Sequence, residues 1–334
     1  DTLEALACDG ERLFSEGEIA AEICAFSADH GGHLSMADLS GYGVERRVPL
    51  RIDYRGAAIL TNPPPSTGGL LIAFALRLME KTGYGRNGTN NADTPDGKAR
   101  DDRALVEIMA ATNRARVESG LRDLRVDAAE TLLDADFLAS YEADILGRPH
   151  ALRGTTHISV VDATGNAASV TLSNGEGCGR MLPGRGFMLN NMLGEEDINP
   201  LGFNAWPEDV RLCSMMSPSL VLGENGSVTA LGSGGSNRIR TAMLQVISNI
   251  LDHGMAIAPA VRQPRMHYEN QVLNIEGPRP QMDLDDLKDA VPEILYWEKP
   301  NLFFGGVHAV RYTQDHQTFD AVGDPRRGGH ATVC

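Results

Sequence analysis

The chain has 334 residues, with 30 Lys and Arg against 45 Asp and Glu, for a formal net charge of −15. That acidity argues against nucleic acid or an anionic membrane surface as partner. The longest apolar run, around Leu70 to Leu76, is too short to span a bilayer. The length is enough to bury a large core.

From the start of the chain, Thr2 to Ala7 reads as the interior of a helix. Leu13, Phe14, Ile19, Ile23 and Phe26 then follow a helical stripe over residues 11–29, stopped by Gly31-Gly32. Ser35 with Asp38 three residues on predicts a helix cap. Val48, Leu50, Ile52 and Tyr54 alternate as a strand, Arg55-Gly56 turns the chain, and Ala58 to Leu60 returns before three prolines. Ser66 or Thr67 is placed to cap a helix from Leu70 to about Glu80. Gly83 to Asp102 lacks an apolar period and reads as a linker. Leu105, Ile108, Met109 and Thr112 mark a helix stopped near Gly120, and residues 127–148 read as helical too.

At Arg153-Gly154 the character changes to strand. Thr155 to Val161 alternates, Ala163 to Asn166 turns, and Ala167 to Ser173 comes back. Leu220 to Leu222, Asn225-Gly226 and Val228 to Leu231 form a second hairpin, and Met243, Ile247 and Ile250 mark a helix over Ile239 to Leu251. Strands followed by helices without βαβ alternation predict an α+β fold of antiparallel sheets faced by helices. Cys8, Cys24, Cys178, Cys213 and Cys334 are scattered, without metal spacing, and an odd count favours free thiols. No histidine pair has metal spacing, so neither a metal catalyst nor another cofactor is expected.

The doubled threonine behind Gly154 suggests chemistry. A threonine hydroxyl is a weak nucleophile until a base lies within reach, and cutting the chain before it lets its own α-amino group be that base. Alone, Gly-Thr-Thr-His is also an ordinary strand start. Downstream, Gly232-Ser233-Gly234-Gly235-Ser236-Asn237-Arg238 precedes a helix. Its amides can converge on an anion, although the lysine of a phosphate-binding P-loop is missing and a plain tight turn has the same composition.

Taken together, Thr155 to Asp162 with Gly165-Asn166-Ala167, Pro183-Gly184 to Asn190-Asn191, Met216-Ser217-Pro218, Gly232 to Ile239 and Asp324-Pro325-Arg326-Arg327-Gly328-Gly329 resemble, in order, the small subunit of γ-glutamyltranspeptidases. Asn62 to Gly69 is similar to the proline-rich turn of that family's large subunit. The resemblance implies the four-layer αββα sandwich of N-terminal nucleophile hydrolases. It also implies self-cleavage between Gly154 and Thr155, leaving residues 1–154 as the C-terminal part of a large subunit and 155–334 as the small catalytic subunit, paired as a heterodimer. Family members usually carry more sequence ahead of this point, so over half of the large subunit is expected to be missing here. The compartment stays open, periplasmic, extracellular or cytoplasmic.

By the same resemblance Thr155 is the nucleophile, Thr156 and Ser173 hold it by hydrogen bonds, and the amides of Gly235 and Ser236 form an oxyanion hole. Asn174 matches a family asparagine with a one-residue gap. Of the acidic pair that takes a glutamyl amine, the first is replaced by Met192, with Glu195 at the second's spacing and Asp197 as substitute; three acids in a row also describe a solvated loop. Ser214 is the surviving member of a serine pair that grips a carboxylate, Met215 replacing the other, while the carboxylate-binding arginine belongs to the N-terminal part not in this chain. The C-terminal Asp-Pro-Arg-Arg-Gly-Gly motif reads as structural or as a solvated basic turn. The segment Ile198 to Arg211 is shorter than in familiar members, which opens the site to water and favours hydrolysis over transfer. The expected activity is cleavage of γ-glutamyl amides of the glutathione type. The alternatives are a glutaryl- or cephalosporin-type acylase, or a catalytically incompetent fragment.

Overall fold

A computed structural model of the chain describes residues 1–85, 95–121, 128–134, 136–137, 155–175, 177–195, 198–199, 203, 205–279, 287 and 291–333. These fall into two compact units. One comprises Asp1–Val48 with Glu176–Met192, the other Pro49–Gly175 with Leu193–Cys334.

The smaller unit contains four helices, α1 (Thr2–Asp9), α2 (Arg12–Ser15), α3 (Glu18–Asp29) and α4 (Met36–Gly41). Asp1 caps α1, and Ser35 with Asp38 forms the capping box expected for α4. Ile19, Ile23 and Leu182 make its core, with Leu13, Phe14, Phe26, Leu39, Phe187 and Leu189 packed around them. Arg185 closes it, with Nε and Nη2 each 2.6 Å from a carboxylate oxygen of Glu22.

The larger unit is built on a six-stranded sheet whose order is β1 (Leu50–Tyr54), β2 (Ala57–Thr61), β5 (Ser219–Leu222), β6 (Ser227–Gly234), β10 (Gly306–Thr313) and β11 (Thr318–Val322). Every neighbouring pair in it is antiparallel. The β1–β2 turn places Arg55 and Gly56 at φ 50 and 77, the left-handed pair that a two-residue hairpin needs. Helices α5 (Thr67–Thr82) and α8 (Arg238–Leu251) pack together over one face of this sheet, and α6 (Pro95–Glu118) packs against α5. Leu70 to Leu76 of α5 and Ile239 to Ile247 of α8 are almost wholly buried there. Gly68 is what lets α5 start so close to the sheet, since a Cβ would collide with the Met215 carbonyl.

On the other face lies the hairpin of β3 (Thr155–Val161) and β4 (Ala167–Ser173), packed over β6 and β10. Alternation sends Thr155, His157 and Ser159 of β3, with Ser169, Thr171 and Ser173 of β4, toward the six-stranded sheet. The outer face carries Thr156, Ile158, Val160, Val170 and Leu172, all exposed. Helix layer, sheet and facing hairpin bear out the expected α+β class. Among the described residues no fourth layer covers the hairpin's apolar face.

Two features depart from the sequence reading. Residues 95–102, read as linker, already belong to α6, because burial of Leu105, Val106, Ile108 and Met109 anchors the helix further along. A third sheet, β7 (Met266–Glu269), β8 (Val272–Glu276) and β9 (Glu293–Trp297), contains a parallel β8–β9 pair, so the sheets are not all antiparallel. A parallel pair requires a crossover, and Gly277 to Pro292 provides it. Further helices among the described residues are α7 (Ala128–Leu133) and α9 (Ile257–Arg262); residues 138–148, also read as helical, lie outside the described residues.

Candidate active site

The β3–β4 register sets Thr155 opposite Ser173, and their hydroxyls stand 3.2 Å apart. The Gly175 amide donates to Ser173 Oγ at 3.1 Å, which lets Ser173 donate in turn to Thr155 Oγ1. One residue on, Thr156 does not join them. It pairs with Leu172 and points to the solvent face, because neighbours in a strand face opposite ways. Gly154 lies outside the described residues.

Below this pair, His157 sits between Thr171 Oγ1, 2.8 Å from Nδ1, and Ser159 Oγ, 2.7 Å from Nε2. Burial, and then the nearby His308, pushes its pKa down to about 4. The ring is therefore neutral at physiological pH, donating through one nitrogen and accepting at the other. Ser169 ties the same layer to the sheet by donating to the Leu231 carbonyl at 2.9 Å and accepting from the Ser219 amide at 3.0 Å.

Glycines on β6 make room for this polar layer. A Cβ on Gly232 would run into the His157 ring. One on Gly234 would meet the Thr155 carbonyl and stand 3.3 Å from the Thr155 Cβ. Thr155 thus rests on the last residue of β6. The next residue, Gly235, has φ 137, and a Cβ there would lie 2.8 Å from Gly305 Cα. Only glycine fits. Ser236 follows at φ 53, a costly value for a non-glycine residue, before α8 begins. The Gly235 and Ser236 peptide units therefore occupy the strand-to-helix turn beside Thr155.

The other expected site residues lie on separate segments of the chain. Asn174 is exposed just past the end of β4. Ser214 precedes β5 on the β2 side of β6, and its carbonyl accepts from Ser66 Oγ and from the amides of Thr67 and Gly68 at the start of α5. Glu195 is buried, its carbonyl accepting from Asn199 Nδ2 at 2.7 Å. Asp197 lies outside the described residues. Asn190, Asn191 and Met192 belong to the smaller unit. Cys213 is no rival nucleophile, since burial pushes its thiol up to about 11.

The C-terminal motif has a part that the sequence only hinted at. Asp324 Oδ2 lies 2.6 Å from Arg265 Nη2 and accepts the Val307 amide at 2.9 Å, while Arg326 Nη1 reaches Asp324 Oδ1 at 3.3 Å. The Arg326 guanidinium also pairs with Glu276 through both Nε and Nη2. All four side chains are buried. Burial would raise the Asp324 pKa, but Arg265 and Arg326 hold the carboxyl below its usual value. This cluster fastens the start of β10 beside β6. No helix among the described residues is long and apolar enough to cross a membrane.

The whole chain, residues 1–334, matches the sequence profile of the family described as Gamma-glutamyltranspeptidase. The Acylase ACY 1 proenzyme of Pseudomonas sp. (strain SE83) is 31% identical over 322 residues, covering 94% of this chain and 57% of the relative. The Glutathione hydrolase proenzyme of Escherichia coli (strain K12) is 30% identical over 297 residues, covering 80% of this chain and 50% of the relative. Among solved structures, the cephalosporin acylase from Bacillus halodurans shares the fold, with a TM-score of 0.72 at 23% identity over 99% of this chain and 61% of that one. The chain spans about half the length of the curated relatives it matches. Motif order, fold and the full-length profile match together make this chain a member of the γ-glutamyltranspeptidase family.

Proposed function

We propose that this chain is a self-processing amidase that cleaves γ-glutamyl amides through an ester on Thr155. The observation that carries the reading is the meeting of the Thr155 and Ser173 hydroxyls, 3.2 Å apart, with Thr155 seated against Gly234 at the mouth of the Gly235-Ser236 turn.

The chemistry has two stages. In the precursor, Thr155 Oγ attacks the Gly154 carbonyl, the acyl group passes from nitrogen to oxygen, and water opens the ester. Residues 1–154 and 155–334 then become the two subunits. The freed α-amino group, with a reference pKa of about 7.7–8.0, is neutral often enough near pH 7–8 to serve as base. In turnover it takes the Thr155 proton as Oγ attacks the scissile carbonyl, the Gly235 and Ser236 amides receive the oxyanion, and the amine departs with the proton. Water then hydrolyses the acyl ester. Ser173 orients the nucleophile, and Ser214, Asn174, Glu195 and Asp197 are assigned to the substrate. Hydrolysis is favoured over transfer to an acceptor because the Ile198 to Arg211 segment is short.

A second reading, cleavage of glutaryl or cephalosporin side chains, is favoured by Met192 and Met215, which replace polar partners of a glutamyl group. The similarity to an acylase proenzyme points the same way. Kinetics on γ-glutamyl and glutaryl 4-nitroanilides separate the two. Higher kcat/KM on the γ-glutamyl anilide supports the first reading, and a preference for glutaryl transfers the assignment to the second. Absence of turnover on either, with a cooperative thermal transition, indicates an incompetent fragment.

A further inference from the structure

The two consecutive arginines of the C-terminal motif have separate fates. Arg326 is buried among carboxylates. Arg327 turns the other way, and its position follows from two facing glycines.

Gly306, the first residue of β10, pairs directly with Gly234, the last of β6. Residues directly opposed in an antiparallel pair present their Cβ positions to the same face, about 4.5–5.5 Å apart. At Gly234 that position is filled by Thr155. At Gly306 it is filled by the stem of Arg327, whose Cδ lies 2.6 Å from where a Cβ would be. Thr155 and Arg327 are therefore neighbours on one face of the sheet, each lying over a glycine. The Arg327 guanidinium continues toward the turn, with Nη2 3.5 Å from the Cβ position of Gly235. Among the described residues that guanidinium makes no hydrogen bond or ion pair, and its Nε is buried without a partner. An arginine side chain remains charged under all ordinary conditions, and a half-buried one beside a reaction centre without a carboxylate partner is suited to receiving an anion.

The strand order decides which half of the substrate that anion belongs to. Ser214 lies on the β5 side of β6 and Arg327 on the β10 side, so Thr155 stands between them. If the acyl group extends toward Ser214, the amine half of the amide extends toward Arg327. We propose that Arg327 is a specificity residue that binds a carboxylate on the leaving-amine side of the scissile bond. The assignment rests on the reading of Thr155 as nucleophile and Ser214 as the acyl-side contact. It directs the enzyme to amides whose amine is itself an acid, such as the amino acids and peptides with a free carboxylate.

The test uses the full chain, as wild type, Arg327→Met and Arg327→Lys, with γ-glutamyl 4-nitroanilide and γ-glutamyl 3-carboxy-4-nitroanilide. Wild type is expected to prefer the carboxylated substrate. Arg327→Met is expected to lose about ten- to a hundredfold in kcat/KM on it, with little change on the neutral one, and Arg327→Lys to recover part of the loss. A purely structural role would lower both substrates together and leave their ratio fixed. An altered dependence on the acyl carboxylate, read from glutaryl and butyryl anilides, would overturn the assignment to the amine side. Calorimetric binding of 5-amino-2-nitrobenzoate against 4-nitroaniline needs no turnover and separates this proposal from the γ-glutamyl reading. Equal binding of the two amines by wild type overturns the role of Arg327 even if every variant fails to fold. Tighter binding of the carboxylated amine supports it whichever acyl group the enzyme prefers.

Discussion

Two polar clusters lie near the Gly234–Gly306 pair, and they are built from opposite materials. The Arg265–Asp324–Arg326–Glu276 cluster consists of full charges, wholly buried and mutually paired. The Thr155 cluster consists of hydroxyls, a neutral imidazole and the amides of a strained turn, and it is partly open to solvent. Charges confined by several partners at once are costly to disturb, so they fix the strand ends. Hydroxyls held by one or two bonds can exchange partners as a bond is made and broken. The motif Asp324 to Arg327 joins the two, with Arg326 in the rigid cluster and Arg327 beside the other.

The contrast predicts that substitutions in the first cluster act on stability and those in the second on rate. Arg326→Ala leaves the buried Glu276 and Asp324 carboxylates short of a partner, which costs about 3–5 kcal/mol. Chemical denaturation should show that loss, and a loss below about 1 kcal/mol would mean the cluster is not what anchors β10. Gly235→Ala introduces a Cβ at φ 137 against Gly305, in the turn proposed to receive the oxyanion. The rate constant kcat should fall about 10²–10³-fold, and an unchanged kcat would remove this turn from the reaction. Ser173→Ala deletes one hydrogen bond to Thr155, the proposed nucleophile, so kcat should drop about tenfold while the melting temperature moves little.

The smallest effect concerns pH. An unfolded histidine takes its proton near 6.5, but buried His157 does so only near about 4. Between those values the unfolded chain binds more protons, so this contribution to stability is complete above about 6.5 and is lost as pH falls toward about 4. Buried His267, also pushed down to about 4 by desolvation, adds in the same direction. Melting temperatures measured from pH 7 to 4.5 should decline, with a shallower decline in His157→Asn. Parallel declines would show that His157 does not carry the effect.

Much of the site could be read from the chain because it is local. The β3–β4 hairpin announces itself by alternation, and its turn by Asp162, whose Oδ1 accepts from the amides of Thr164 and Asn166. The Gly235-Ser236 turn was marked by its glycines. What stayed hidden depends on distant partners. β7 and β8 are buried on both faces, so they show no alternation, and the polar residues among them, His267, Glu269, Asn274 and Glu276, look unlike a core strand. Glu276 becomes explicable only opposite Arg326, fifty residues later. The opposite directions of Arg326 and Arg327 come from the Gly234–Gly306 register, which no local pattern encodes. Thr156 is the reverse case: strand alternation alone already places it away from Thr155.

The most direct test of the account is the denatured mass of the purified protein beside Thr155→Ala. The account predicts that wild type separates into two chains ending at Gly154 and beginning at Thr155, while the variant remains at 35.9 kDa. Wild type that stays intact after prolonged incubation, or a Thr155→Ala protein that is still cut at this bond, would contradict the assignment of Thr155 as nucleophile.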